Sequence, residues 1–469
     1  MIRRRTDRGQ AVVVAVLAMP VILGMVGLAL DVGYLRATKR QMQTAADSAA
    51  IAGALALNDA PPDYNQLATN AAGADGFTNG ISGIAVAVNS PPTIAAPAGP
   101  CVTQPTSCVE VIITQSKPVL FAAILGAGSF TVAARAVAWG EANAKGCVYL
   151  LGPTGTDISA VGSNRISATC GIYVDSNSDP GVALTGANTV NSAFFGVVGG
   201  TPSEIGANSV NPPAITGIPP VPDPLANLPI PPISTPCSGG STWPNITGSG
   251  LVVTIPSGSC YNVNIIGTGN TVTFSPGSFG NVSITGSLNI VTFGAGQYGS
   301  IQMSGANTTT FYPGQYASIV DTGSNAEIFN AGTYVIAGPG GLTLTGASGS
   351  VGNGVTFYIG PNAGSVSYTG ANGSNFSAPT TGPYAGILFF QSPANTHTAT
   401  FTGANGLIAG TLYFPRAPVT MTGANGITSN YVILVAYSLA MTGANTWTFN
   451  NNYTVLPGGS PIHTAALVE

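Results

Sequence analysis

The sequence predicts a mainly β protein: an N-terminal transmembrane and stalk helix, a small α+β module, then a parallel β-helix, a solenoid of coils about twenty residues long. Three observations predict it. Of 469 residues, 63 are Gly, only 6% are charged and 45% are hydrophobic, a balance that fits an ordered, turn-rich chain rather than a disordered one. Residues 11–30, AVVVAVLAMPVILGMVGLAL, carry no charge. Between 269 and 340 the residues fall into columns: Asn270, Asn289, Asn307 and Asn325; Phe274, Phe293, Phe311 and Phe329; Gly277, Gly296, Gly314 and Gly332, each followed two residues later by Phe or Tyr.

The basic segment 1–10 contains Arg3, Arg4, Arg5 and Arg8 and precedes the apolar run. As a helix rising about 1.5 Å per residue, that run spans about 30 Å, the thickness of a bilayer core. Arginines before it and few charges after it predict an N-terminus in the cytoplasm and the bulk of the chain outside the inner (cytoplasmic) membrane, periplasmic or extracellular. A cleaved signal peptide is the competing reading; the length of the run favours an uncleaved anchor. Residues 31–57 continue as a stalk, with Leu35, Met42, Ala45, Ala46, Ala49 and Ala52 at helical intervals.

RGQAVVVAVLAMPVILGMVGLALDVGYLRATKRQMQTAADSAAIAGA resembles the N-terminal segment of TadE/TadG-like proteins of the tight-adherence (Flp) pilus-assembly system, above all in L-D-V-G-Y and Q-x-x-A-A-D-x-A-A. The resemblance implies an envelope protein anchored in the bacterial inner membrane and associated with building or displaying adhesive pili. Peptidase-processed pilin-like members carry Gly before the cleavage site and Glu five residues on. Here Gly9 is followed by Val14 at that place.

Residues 58–145 predict the small α+β module. ISGIAVAVN, CVEVIITQS and FTVAARAVAWG read as three strands, with VLFAAILG a short helix between the last two. Trp139 and Glu141 read as structural. The six cysteines form consecutive pairs, Cys101 with Cys108, Cys147 with Cys170 and Cys237 with Cys260, which suggests three local disulfides and an oxidising compartment.

Residues 146–460 predict the β-helix. A repeat this short, poor in helix formers and lacking a leucine framework, fits coils of short strands stacked about 4.8 Å apart, roughly thirteen of them over about 60 Å. Further copies of the corner word are VGSN, LTGAN, IGAN, YTGAN, FTGAN and two MTGAN. Gly and Asn tolerate the left-handed backbone of a sharp corner, and stacked Asn side chains can exchange amide hydrogen bonds along the axis. The Phe column is assigned to the interior. Residues 211–236 contain ten prolines, cannot pair as interior strands, and read as an extended excursion over the outside of the coils or bridging two parts of them.

Chemistry is sparse. Beyond Cys170 the acids are Asp175, Asp179, Glu204, Asp223, Asp321, Glu327 and Glu469, and Arg416 is the one basic residue, which argues against nucleic-acid binding. Asp321 and Glu327 are the first candidates for a glycosidase pair, with plain solvent exposure the expected alternative. Asp175 to Asp179, DSNSD, imitates half a calcium loop, but Pro180 occupies the place of the turn glycine and Gly186 that of the final Glu. His397 and His463 are isolated. The words at Asn245, Asn281 and Asn307 match the glycosylation pattern by chance in such a composition. The sequence predicts no catalytic residue, cofactor or metal. The expected partners are membrane lipid and pilus-assembly or envelope proteins, with cell-wall glycan a further candidate. The expected role is pilus assembly or adhesion without catalysis; the runner-up is a membrane-tethered polysaccharide hydrolase or lyase.

Overall fold

The structure, a computed structural model, describes residues 8–468 except 58–62, 95–99, 104, 120, 127, 142–145, 236, 238–239, 259, 346–348, 370–371, 404, 424–425, 428 and 463. Arg3, Arg4, Arg5, His463 and Glu469 lie outside the described residues, as do Gly370 and Ala371, Ala404, and Ala424 and Asn425 of three corner words. The chain divides into two units, Met1–Ala142 with His463–Glu469, and Asn143–Ile462.

In the first unit, helix α1 runs unbroken over Arg8–Ala56, with Pro20 inside it. Its C-terminal half buries Met42, Ala45, Ala46, Ala49, Ala50 and Ala54 against a sheet. The alanines let the sheet approach the helix closely. Strands β1 (Ile84–Asn89), β2 (Cys108–Pro118) and β3 (Ser129–Glu141) pair antiparallel in chain order. Val109, Val111 and Ile113 alternate inward with Ala134, Ala136 and Ala138, the period of two that puts one face of a strand on a core. Helix α2 (Tyr64–Ala74), unforeseen in the sequence, adds Ala68 and Ala72 to this core. A fourth strand, Thr464–Leu467, pairs antiparallel with β3, so the end of the chain returns to the small sheet. Within the stretch read as a short helix, Ala122–Leu125 form a 3-10 helix at the tip of the β2–β3 hairpin.

The second unit is a parallel β-helix. Successive coils pair strand on strand in parallel register, with Phe274 opposite Phe293, Phe293 opposite Phe311, and Phe311 opposite Phe329. These rings are buried and stack at 5.0, 4.8 and 4.9 Å between centroids. A second buried file, Phe279, Tyr298, Tyr316 and Tyr334, meets the first edge-on, as Phe293 does Tyr298 at 5.5 Å. Offset and edge-to-face aromatic contacts each add roughly 0.5–1.5 kcal/mol beyond area burial, so a pair of ring files gives the interior a continuous spine. At the corners Gly162, Gly186, Gly206 and Gly443 take φ between 103° and 116°. A Cβ at Gly186 would stand 2.2 Å from the Gly162 carbonyl oxygen, so this corner needs glycine for both conformation and room.

The order of coils along the axis is not the order of the chain. Residues 146–216 lay down three coils toward one end. The chain then runs outside the stack and restarts at the opposite end near 242, climbing coil by coil until 432–449 docks beneath the first coil. At this seam Leu434 pairs with Val148, Leu439 with Ile158 and Trp447 with Ile166, all in parallel. The two coils closest to the ends of this unit's chain, 146–168 and 432–449, thus sit inside the stack, where each caps the open strand edge of the other.

The proline-rich excursion is the strap that makes this order workable. Val221 N–H donates to Asp175 Oδ1 at 2.9 Å, the Tyr413 hydroxyl to Asp223 Oδ2 at 2.8 Å, and the Tyr384 hydroxyl to the Pro229 carbonyl at 2.8 Å. Lower down, Ser234 and Gln315 exchange two hydrogen bonds of 2.7 Å. Those contacts descend the stack across the seam. Proline suits a strap because it holds extended backbone and has no N–H to satisfy.

Candidate functional sites

The N-terminal half of α1 exposes apolar side chains along its described length. Val14, Leu17 and Met25 are 66%, 69% and 67% exposed, and the helix is long and apolar enough to cross a membrane. Pro20 removes one helical hydrogen bond, a defect that membrane helices tolerate. Asp31 is the first acid after the run.

In the second unit the Asn column lies inside the corners as a hydrogen-bonded ladder. Asn270 N–H donates to Asn289 Oδ1 at 2.9 Å, Asn289 to Asn307 at 3.0 Å, and Asn307 to Asn325 at 2.8 Å. Asn307 is 4% exposed, which removes it as a glycosylation site, whereas Asn245 and Asn281 are exposed. The ladder is structural.

It ends on Asp321 and Glu327, and here the structure overturns an expectation. Neither is solvent-exposed: both are fully buried in the stack. The reason is register, because Asp321 follows Met303 and precedes Leu344 in one inward column, and Glu327 follows Thr309 in another. Asp321 Oδ1 accepts from Gly323 N–H at 2.8 Å and from the Asn325 amide, while the Ser350 hydroxyl donates to Glu327 Oε2. Asp321 Oδ2 and Glu327 Oε1 find no other donor. Burial above all, then the hydrogen bond with Asp321, pushes the Glu327 carboxyl up from 4.5 to about 9. A proton held by Glu327 and shared with Asp321 satisfies both orphan oxygens. Enclosed by coils above and below, the pair has no face open to a polymer chain.

The remaining candidates are also structural. DSNSD serves the strap: Asp175 receives Val221 N–H, and the Ser176 hydroxyl donates to the Gly155 carbonyl. Beside it, burial and then the Asp175 charge push the buried Asp157 up to about 8, against a hydrogen bond from Ser176 N–H. His397 and Arg416 are exposed. Arg416 lies at a coil corner, between the register of Phe414 and that of Pro418. Among the described residues no three His, Cys, Asp or Glu side chains converge on a point that could hold a metal ion. The disulfides are Cys101–Cys108, Cys147–Cys170 and Cys237–Cys260. Cys147 and Cys170 begin adjacent coils.

One charge pair went unread in the sequence. Glu110, fully buried on β2, meets Arg135 Nε on β3 at 2.7 Å. Burial raises the carboxyl, but hydrogen bonds from Thr93, Arg135 and Asn89 together outweigh it and hold Glu110 at about 2. The signal was present as the one acid of β2 and the one arginine of β3, each flanked by apolar residues. Near the other end of this sheet, an open depression of about 600 Å³ is lined by Gln41, Thr44, Asp75, Phe77, Gln115 and Lys117 among others.

A family model described as putative Flp pilus-assembly TadE/G-like matches residues 9–56, which is α1 almost end to end. No curated protein and no solved structure matches the chain.

Proposed function

We propose that this chain is a non-enzymatic envelope protein of Tad-type pilus assembly or surface attachment, held by α1 in the cytoplasmic membrane with its N-terminus inside and both structural units outside. One observation carries the reading: within the segment that matches the pilus-assembly model, α1 is divided into an exposed apolar half of membrane length and a half buried in its own module. A helix so divided joins lipid to a folded load. Orientation rests on the arginines that precede the run and on the three disulfides, all of which follow it and favour an oxidising compartment.

The β-helix supplies a repetitive surface to envelope proteins or wall glycan. Thr273, Thr292 and Thr310 stand in register facing outward, and Asn264 and Asn245 form an exposed pair at 3.0 Å. Weak contacts repeated along such a face gain by effective concentration. The absence of catalysis is supported by the burial of Asp321 and Glu327, the sequence's best acid pair.

Protease added to intact spheroplasts is expected to digest both units down to an anchored fragment while an N-terminal tag stays protected; digestion of the tag would reverse the orientation. Deletion of the gene is expected to abolish pili or attachment. Turnover of a polysaccharide panel, lost in an Asp321→Asn, Glu327→Gln variant, would establish the enzyme instead.

A further inference from the structure

The buried seam of α1 extends further toward the membrane than the stalk requires. Thr38 and Asp31 continue the line of Met42 and Ala45, and the line ends at Gly27, a buried residue inside the apolar run 11–30. What covers Gly27 is the tip of the β2–β3 hairpin. A Cβ at Gly27 would stand 2.4 Å from the ring of Phe121, so the ring lies flush on the helix backbone. Asp31 Oδ2 accepts from Phe121 N–H at 2.9 Å and from Ala122 N–H at 2.7 Å, which fixes the 3-10 turn to the helix. Within the turn, Ile124 N–H bonds to the Phe121 carbonyl and Gly126 N–H to that of Ala123. The tip therefore reaches three residues, about 4.5 Å of helix, below the end of the apolar run.

Its composition suits that depth. From Pro118 to Ala134 the sequence contains no charged residue. Ile124 is 82% exposed and Phe121 37%, so the tip shows apolar side chains beside the helix residues Val26, Leu28 and Leu30, which are exposed as well. Above it Lys117 Nζ sits 5.9 Å over the Tyr34 ring, a cation and an aromatic at the height where headgroups meet water. The turn bonds two of its own N–H groups and uses an acid for two more, which lowers the cost of bringing this backbone into an apolar phase.

We propose that the turn at the β2–β3 tip, Phe121 to Gly126, is a second membrane contact: a wedge that inserts Ile124 and the edge of Phe121 among the acyl chains of the outer leaflet beside α1. The inference rests on α1 crossing the bilayer. A helix alone is free to rotate and tilt; a wedge pinned to one face of it fixes the azimuth at which the small module stands on the membrane. Lipid is the occupant because the surface is continuous with the exposed helix face and contains no charge.

The test places single tryptophans in the full chain reconstituted in bilayers whose phosphatidylcholine is brominated along the acyl chains, from near the glycerol to near the terminal methyl. The variants are Ile124→Trp at the tip, Val21→Trp in the helix and Val102→Trp on the exposed turn at the far end of the sheet, each corrected for the native tryptophans. Bromine is expected to quench Ile124→Trp emission, to quench Val21→Trp, and to leave Val102→Trp unchanged. Quenched Val21→Trp with Ile124→Trp no more quenched than Val102→Trp would give the tip to a protein partner and overturn the wedge alone. Unquenched Val21→Trp would overturn the anchor and the wedge together.

Discussion

Two ladders of asparagine in the β-helix invite comparison. The first joins Asn270, Asn289, Asn307 and Asn325, each step crossing 18 or 19 residues of chain. The second joins Asn445, Asn164, Asn188 and Asn208, and its first step crosses 281 residues. Locally the two are alike. Apart from Asn270, whose side-chain amide turns to the Gly248 carbonyl, each Asn donates its backbone N–H and its side-chain amide to the next Oδ1, at 3.2 and 2.7 Å for Asn445 to Asn164 and at 3.0 and 3.0 Å for Asn289 to Asn307. Coil stacking is thus indifferent to connectivity: any corner that presents Gly and Asn can rest on any other. What differs is the entropy of closure. Bringing together residues 281 apart rather than 18 costs about 2.4 kcal/mol more, at about 0.6 per doubling of the loop. The seam should therefore be the weakest joint of a stack whose interior looks uniform.

The largest effect expected from this contrast comes from emptying the core on either side of it. Phe311→Ala within the continuous run and Trp447→Ala at the seam each remove a buried ring and should cost about 3–5 kcal/mol. The consequences should differ. Phe311→Ala is expected to lower one cooperative transition, whereas Trp447→Ala should release residues 146–216 first, seen by hydrogen exchange as early loss of protection in those three coils. Identical exchange patterns in the two variants would show that the seam is no weaker than any other interface.

A second test uses the acids on which the first ladder ends. The folded-state pKa of Glu327 is raised from 4.5 to about 9, so between those values the folded chain holds a proton that the unfolded chain has released. Its stabilising contribution is complete below about 4.5 and is lost as pH rises toward 9, at up to about 1.4 kcal/mol per unit. Thermal unfolding of the full chain should therefore shift downward from pH 6 to pH 8, and Glu327→Gln should flatten that slope. A midpoint that rises with pH and ignores the substitution would show that Glu327 is ionised in the fold. The seam coil 146–168 contains Asp157, raised from 3.8 to about 8, so it should lose stability over the same pH range, and Glu327→Gln should leave that part of the slope in place.

The legible and illegible parts of the molecule divide along the same line. Columns such as Phe274 to Phe329 could be read because a period near eighteen residues brings like side chains to one place, and only an interior accepts a file of phenylalanines. The same columns would have placed Glu327 indoors, since it occupies the position held by Val272, Val291 and Thr309 in the coils before it. A charge was read by type instead of by register. The order of coils was not legible at all, because the words that specify pairing, VGSN at 161–164 and MTGAN at 441–445, are interchangeable with their neighbours. The strap shows in the sequence as prolines, but its path is set by single contacts such as Tyr413 with Asp223. In the small module the strands were visible from alternation. The return of Thr464–Leu467 and the fit of Phe121 on Gly27 were not, because both depend on which surfaces meet rather than on local pattern.

The smallest effect is the most direct comparison of the ladders. Asn289→Ala and Asn164→Ala each delete one rung and leave buried N–H groups of the coil below without an acceptor, a loss of about 1–3 kcal/mol. At equilibrium Asn164→Ala should cost the more, because Asn164 Oδ1 accepts from both the N–H and the amide of Asn445 whereas Asn289 Oδ1 accepts only Asn270 N–H. Their kinetics should separate. A rung within the continuous run closes over a short loop and can form early, so Asn289→Ala should slow folding; the seam rung closes last, so Asn164→Ala should leave the folding rate unchanged and speed unfolding. Denaturant-jump rates on the full chain in lipid nanodiscs give both numbers. If Asn164→Ala slows folding as much as Asn289→Ala, the seam forms with the nucleus, and the strap has brought the two halves together before the coils have stacked.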